Sequence, residues 1–417
     1  MRDMPQLPGY LKELRARAEA AIAKAAPLGP DIDLSTFVHT LAGEKEKREA
    51  SITRHVKEAA LLAGVDLTEE NRSGTYLQVD HSVLSKHVQD AYGGQVEIMP
   101  ISEALERYDW MADYYWRAVA VDADKFTAYA ELYRTEGYFI RVLPGAKIDK
   151  PIQSCLMLAE NNLSQNLHNI IMLEEGAEAQ VITGCTIHPG VARGLHLGIS
   201  EFFIKKNASL TFTMIHNWAE DFHVRPRSAA IIGDNATFIS NYILMKPVRS
   251  IQMYPTAFLK GKNSKARFQA ILLGKDDSLL DIGSRVVHEG EGSRSESINR
   301  SIAGDSSTII ARGQLIAKVN DCRAHLECRG ILSSPKATML AVPELQAFQC
   351  PQAELSHEAA VSPIAEEEVS YLMSRGLTRE EALATITRGF LNVDLLGLPP
   401  LLQKAVDSIL EKTPLEG

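Results

Sequence analysis

The chain has 417 residues, 45% of them hydrophobic, and a formal net charge of −9. Its length suits a globular protein of two or three structural units, and its acidic balance offers no global field for nucleic acid or anionic lipid. No run of eighteen apolar residues marks a transmembrane helix. The five cysteines are an odd number spread through a large chain, unlike a secreted disulfide framework.

The opening segment, MRDMPQLPGYLKELRARAEAAIAKAAP, carries acidic and basic residues where a signal peptide needs an uninterrupted apolar stretch, so a reducing cytoplasm is the expected setting. From Gly9 to Ala26, Ala, Leu, Lys, Glu and Arg recur at helical spacing. A second helical pattern, EKEKREASITRHVKEAALLAGV, closes at Gly64, so the first ninety residues are expected to be mostly helical. A third, ISEALERYDWMADYYWRAVAV, bears Tyr108, Trp110, Tyr114, Tyr115 and Trp116, an aromatic stripe expected to be packing surface rather than a cofactor box. His81, His87 and His288 are expected to be surface or turn residues.

After Gly137 the texture changes to short alternating segments separated by Gly, Asn, Asp and Ser, the pattern of strands joined by tight turns. KKNASLTFTMI, GDNATFISNYI and GKNSKARFQAI each set an asparagine before a small residue and a strand, and Asn207, Asn235 and Asn263 are spaced 28 residues apart. Leu210, Phe212 and Met214 alternate with Thr211 and Thr213, which gives that strand one dry and one wet face. EEGAEAQVITG reads as an earlier unit, and GEGSRSESI and GDSSTIIARG as later ones at shorter spacing. A turn chemistry repeated at fixed interval predicts a stacked β-solenoid in preference to a β-sandwich.

The last sixty residues return to helix. Ser362 is the expected N-cap, with Pro363 at the first helical position, of a helix that Gly376 closes. Thr378 and Glu381 form a capping box for a second helix carrying Ala382, Leu383, Ile386, Phe390 and Leu391 on one side, and LLQKAVDSILEK predicts a third. Such an amphipathic face either packs on its own body or docks a partner.

Among the cysteines, Cys155 and Cys185 lie in apolar strands and are expected to be core thiols, while Cys350 falls in a loop or strand end. In DCRAHLECRG alternation turns Cys322, Ala324, Leu326 and Cys328 inward. The two thiols stand roughly 20 Å apart along the strand, too far to share a disulfide or an ion. One 28-residue coil after Cys328 is position 356, beside His357 and Glu358. Stacked coils lie about 4.8 Å apart, so a continued repeat brings a thiol, an imidazole and a carboxylate together, a set suited to iron, zinc or an iron-sulfur cluster. The competing expectation is an inert buried thiol, with His357 and Glu358 capping the strand-to-helix junction. No G-x-x-x-x-G-K-S/T occurs, so the chain is not expected to hydrolyse ATP through a P-loop of its own.

From about residue 70 onward the chain resembles the SufB/SufD family of iron-sulfur cluster assembly proteins, which work with the SufC ATPase. The segments that carry the resemblance are ISEALERYDWMADYYWRAVAV and its continuation, ITGCTIHPG, IHNWAED and, most specifically, SHEAAVSPIAEEEVSYLMSRGLTREEALATITRGF. SGTYLQVDHSV looks most like the archaeal-type form sometimes called SmsB. The resemblance implies a mainly β protein: a right-handed parallel β-helix over 136–355, between a helical N-terminal region, 1–135, and a helical C-terminal domain, 356–417. It implies a non-catalytic scaffold that holds iron and a transient iron-sulfur cluster through Cys328, His357 and Glu358 and pairs as a homodimer through the β-helix. It also implies that a SufC-like ABC ATPase binds the C-terminal helices at Tyr371, Arg375, Gly376, Ile386 and Phe390. Two positions depart from the family pattern: Ser356 stands where SufB often has another Glu, and RSAAIIG, with Ile231 nearest, lacks the cysteine of SufB's proposed sulfur-entry segment. The rival classes are a β-helix enzyme acting on polysaccharide, for which no carboxylate or basic groove is evident, and a structural ATPase partner with an inert Cys328.

Overall fold

The computed structural model describes residues 7–40, 54–68, 71–244 and 246–391. From Tyr138–Val142 onward the chain passes alternately between two sheets whose neighbouring strands run parallel, making a β-solenoid of about eight coils. Ile152–Leu158, Glu178–Ile187, Ser209–Asn217, Thr237–Leu244, Lys265–Gly274, Ser293–Ala303, Cys322–Leu332 and Glu354–Ser362 stack in the first sheet. The second includes Ser164–Leu173, Arg193–Ile204, Leu279–His288, Thr308–Ala317 and Thr338–Ala347.

The repeated asparagines make the coils possible. Entry into the first sheet needs a residue with positive φ, supplied by Gly176, Asn207, Asn235, Asn263 and Gly292 at φ between 53° and 74°. Asparagine tolerates this region because its short amide bonds locally. Here the amides also stack: Asn235 Nδ2 donates to Asn207 Oδ1 and Asn263 Nδ2 to Asn235 Oδ1, each at 3.2 Å. Gly292 takes the next rung because a Cβ there would lie 2.2 Å from Asn263 Oδ1.

The coil length follows from the register. Ser209 pairs with Thr237 and Thr237 with Lys265, an offset of 28 residues. It becomes 29 from Ser293 to Cys322 and 31 from Arg323 to Glu354. Later coils are therefore longer, not shorter; GDSSTIIARG seemed closely spaced because it enters the second sheet, on the other side of the coil.

Inward-facing side chains of both sheets, among them Leu210, Phe212, Phe238, Phe268, Ile282 and Leu326, fill the lumen. Each large side chain so buried contributes about 1.5–3 kcal/mol. The outer face of the second sheet is covered by helices Leu7–Ala21 and Lys125–Leu132 and by the aromatic segment, whose Tyr115 and Trp116 are buried with Leu195, Leu197 and Ile199. The aromatic stripe is packing surface, as expected. Outside the first sheet, helix Arg379–Leu391 sets Phe390 and Leu391 on a column that includes Ile215, Ile243, Ile271, Ile302 and Ile331.

Three expectations are corrected. Among the described residues, the first ninety are not mostly helical: Gly74–Val79 lies parallel to Ile152–Leu158 and Ser82–Val88 pairs antiparallel beside it, because this buried segment extends the first sheet. The C-terminal helix begins at Glu366, with Ala365 as N-cap, since Ser362 is still held in the last strand. His288 is fully buried, its two ring nitrogens each 2.8 Å from a serine hydroxyl, Ser293 and Ser295. The Thr378–Glu381 capping box forms in both directions. LLQKAVDSILEK lies outside the described residues, in which no helix is long and apolar enough to cross a membrane.

Candidate functional site at the open end of the solenoid

Alternation along Cys322–Leu332 places Cys328 fully inside the lumen, beside the buried Leu326. Burial, with Glu327 adding, pushes its thiol up to about 11. At neutral pH it is a protonated, shielded thiol, and it becomes a nucleophile or metal ligand only on exposure or when an ion displaces its proton.

The register of the last coil decides which residues share its face. Leu326 pairs with His357, Glu327 with Glu358 and Cys328 with Ala359. His357 therefore belongs to the same face as Cys328, displaced by two residues or about 7 Å along the strand. Its Nε2 is buried without a hydrogen-bond partner, and burial together with His325 lowers its pKa, leaving a neutral imidazole suited to ligation. Glu358 points to the opposite, outer face, where Arg329 holds it at 2.9 Å. The structure thus sets the thiol and imidazole on one side of the strand and the carboxylate on the other.

The outer face carries a charged network that sequence reasoning missed. Arg300 reaches Glu327 at 2.5 Å, and Arg329 reaches Glu327 at 3.3 Å as well as Glu358. The Arg300 guanidinium also stands 5.8 Å from the centre of the Phe390 ring. His325, Glu327 and Glu358 bring ligand atoms within 4.8 Å of one another. Ser356, in place of a carboxylate, instead bonds His325 Nδ1 at 2.8 Å through its hydroxyl. The parity of 325 and 327 was visible in the sequence; their approach to 358 depends on the 31-residue offset.

The described solenoid ends at open strand edges. Among the described residues, no strand pairs with the far edges of Thr338–Ala347 and Glu354–Ser362, and Leu340, Leu345, Phe348 and Val361 are exposed. Unpaired strand edges of this kind are templates for another chain. The five residues expected to bind a partner divide into two groups. Ile386 packs with Val369, Ala382 and Leu383, and Phe390 packs on the isoleucine column. Tyr371, Arg375 and Gly376 are exposed, with the Arg375 guanidinium 5.2 Å above the Tyr371 ring.

Fold and site define a parallel β-solenoid with helical terminal regions and a thiol- and imidazole-bearing site beneath a last coil that no described strand covers. Residues 156–390 match the family model described as SUF system FeS cluster assembly, SufBD core domain. An iron-sulfur cluster assembly SufBD family protein of Methanothermobacter thermautotrophicus is 47% identical over 407 residues, 96% of this chain and 98% of the relative. Those of Archaeoglobus fulgidus and Pyrococcus horikoshii are 47% identical over 355 residues (85% of this chain, 94% of the relative) and 31% identical over 402 residues (94% and 90%). The chain belongs to the SufBD family of iron-sulfur cluster assembly proteins.

Proposed function

We propose that this chain is the scaffold of a minimal, SmsB-type system, on which an iron-sulfur cluster is built at the interface of a homodimer, with conformational work supplied by a SufC-like ABC ATPase in the cytoplasm. The observation that carries this reading is the placement of Cys328 directly beneath the last coil, which no described strand covers and whose own strand bears His357 and Glu358. Pairing of two copies through the open edges buries Leu340, Leu345, Phe348 and Val361 and satisfies the unpaired backbone groups. The cluster is cargo, with Cys328 supplying a thiolate and His357 and Glu358 completing the ligand set.

In the closed register those three donors do not converge, so the scaffold must have a second state. The route to it runs through the C-terminal helices, where the ATPase docks on the exposed Tyr371, Arg375 and Gly376. Helix Arg379–Leu391 touches Arg300 through Phe390, Arg300 holds Glu327 next to Cys328, and Glu327 shares Arg329 with Glu358. A shift of that helix loosens this network, freeing Glu358 and loosening the last coil over the thiol. Nucleotide binding drives the change only as far as the ATPase prefers the open scaffold to the closed one.

Anaerobic reconstitution of the chain with its ATPase, ferrous iron and sulfide tests the assignment. The wild type should develop visible iron-sulfur absorption that Cys328→Ser loses. Equal spectra in the two proteins would favour the alternative suggested by the buried, separated donors, a structural ATPase partner with an inert cysteine.

A further inference from the structure

Five strands before the Cys328 strand, about 24 Å back along the solenoid at 4.8 Å per rung, the lumen holds a second set of soft donors. Cys185 and His216 are register partners on adjacent strands of the first sheet. His196 comes from Arg193–Ile204 in the second sheet, facing them across the lumen. Their relative exposures are 0%, 2% and 1%. One ligand atom from each lies within 4.8 Å of the others. Metal–nitrogen and metal–sulfur bonds of a tetrahedral site set ligand atoms about 3.3–3.8 Å apart, so closure on an ion needs movement of at most about 1.5 Å.

The hydrogen bonds orient the rings for this task. His196 Nδ1 lies 2.9 Å from the amide oxygen of Gln165, which only accepts, so the proton is on Nδ1 and Nε2 carries a lone pair. A Cβ on Gly198 would stand 2.9 Å from that Nε2; glycine keeps the space beside it open. His216 Nδ1 is 2.9 Å from the Tyr242 hydroxyl, and its Nε2 is buried with no hydrogen-bond partner. An imidazole nitrogen left unsatisfied in an apolar lumen is unfavourable, and ligation relieves it. Fixing one ring nitrogen so that the other meets an ion is the usual arrangement around metal-binding histidines. Burial holds both imidazoles neutral, His196 down to about 3, as ligation requires.

We propose that Cys185, His196 and His216 bind one divalent transition ion of borderline softness, zinc(II) or iron(II), with a fourth position left to water or another small ligand. The Cys185 thiol gives its proton to solvent as the ion enters. A thiolate and two imidazoles, with no carboxylate in the set, disfavour magnesium and calcium. The site goes beyond the scaffold reading, because it contains none of the residues at the open end.

Cobalt(II) is the probe, in a chain carrying Cys328→Ser so that the proposed cluster site contributes no thiolate and failure of the scaffold reading leaves the result unaffected. Protein produced in cobalt-supplemented medium and purified anaerobically should hold one cobalt per chain, with the strong visible bands of a tetrahedral ion and a thiolate-to-cobalt charge-transfer band. Cys185→Ser should lose the charge-transfer band. Tyr242→Phe, which removes only the hydroxyl holding His216, should keep the fold and weaken cobalt binding about 10–100-fold. Competition with zinc(II) and iron(II) then ranks the natural candidates. A cobalt-free parent protein, a charge-transfer band that persists in Cys185→Ser, or unchanged affinity in Tyr242→Phe would overturn the site; the parent spectrum decides even where a variant fails to fold.

Discussion

Enclosure of Cys328 predicts a thiol whose reactivity reports the state of the scaffold. Burial raises it from an ordinary 9.0 to about 11. At neutral pH a two-unit rise means roughly 100-fold less thiolate, and alkylation follows the thiolate. The isolated chain should therefore react with iodoacetamide at Cys328 at least about 100-fold more slowly than an unshielded cysteine, with exclusion of the reagent slowing it further. Addition of the ATPase and a non-hydrolysable ATP analogue should return much of that factor. Cys155, buried and pushed up to about 12, serves as an internal control that stays unmodified. Pulse labelling under anaerobic conditions, followed by peptide mass spectrometry, reads both sites in one sample. Rapid modification of Cys328 in the isolated chain, or no acceleration with nucleotide and partner, would refute the gating argument.

Other perturbations test separate parts of the account. Arg300→Gln removes the contact with Phe390 and one of the two arginines on Glu327 and should cost about 1–2 kcal/mol in chemical denaturation; it should retain ATPase binding and label faster than the wild type at Cys328 without nucleotide, with less further acceleration when nucleotide is added. If the proposed pairing through the last coil holds, the wild type should be a dimer by light scattering and the double variant Leu345→Glu, Phe348→Glu a monomer, with thermal stability of the monomer little changed because both side chains are exposed. Asn235→Ala should destabilise the solenoid by about 1–2 kcal/mol through its left-handed backbone, and Asn235→Gly by less. His196 and His288 have pKa values lowered by burial to about 3 and about 4, so the unfolded chain takes up their protons first. The stability they contribute is present above pH 6.5 and is lost as pH falls toward those values, at about 1.4 kcal/mol per unit for each histidine. Urea midpoints that stay flat between neutral pH and pH 5 would contradict this.

The solenoid was legible because its turn residues and its period-two alternation both survive in the sequence. Asn207, Asn235 and Asn263 occupy the positive-φ rungs, and Cys322 and Cys328 face inward. The site was legible only in outline. A 28-residue step from Cys328 lands on Ser356, which puts Glu358 on the thiol's face; the actual 31-residue step lands on Ala359 and puts His357 there instead. An odd change in offset exchanges the two faces of a strand, and offset is set by turn lengths that hydrophobic pattern does not encode. Cys185 is a core thiol, as expected, but its approach to His196 and His216 was not legible, because it comes only through the stacking and closure of the coils. Of the C-terminal residues that the resemblance assigns to partner binding, Phe390 packs beside Leu391 on the chain's own isoleucine column, while Tyr371 is exposed.

Iron and acid-labile sulfide content of the chain purified anaerobically with the proposed SufC-like ATPase and MgATP is the most direct test of the scaffold role. The wild type should hold a bound cluster and Cys328→Ser none, with the ATPase retained in both preparations. Equal iron and sulfide in the two proteins would contradict it.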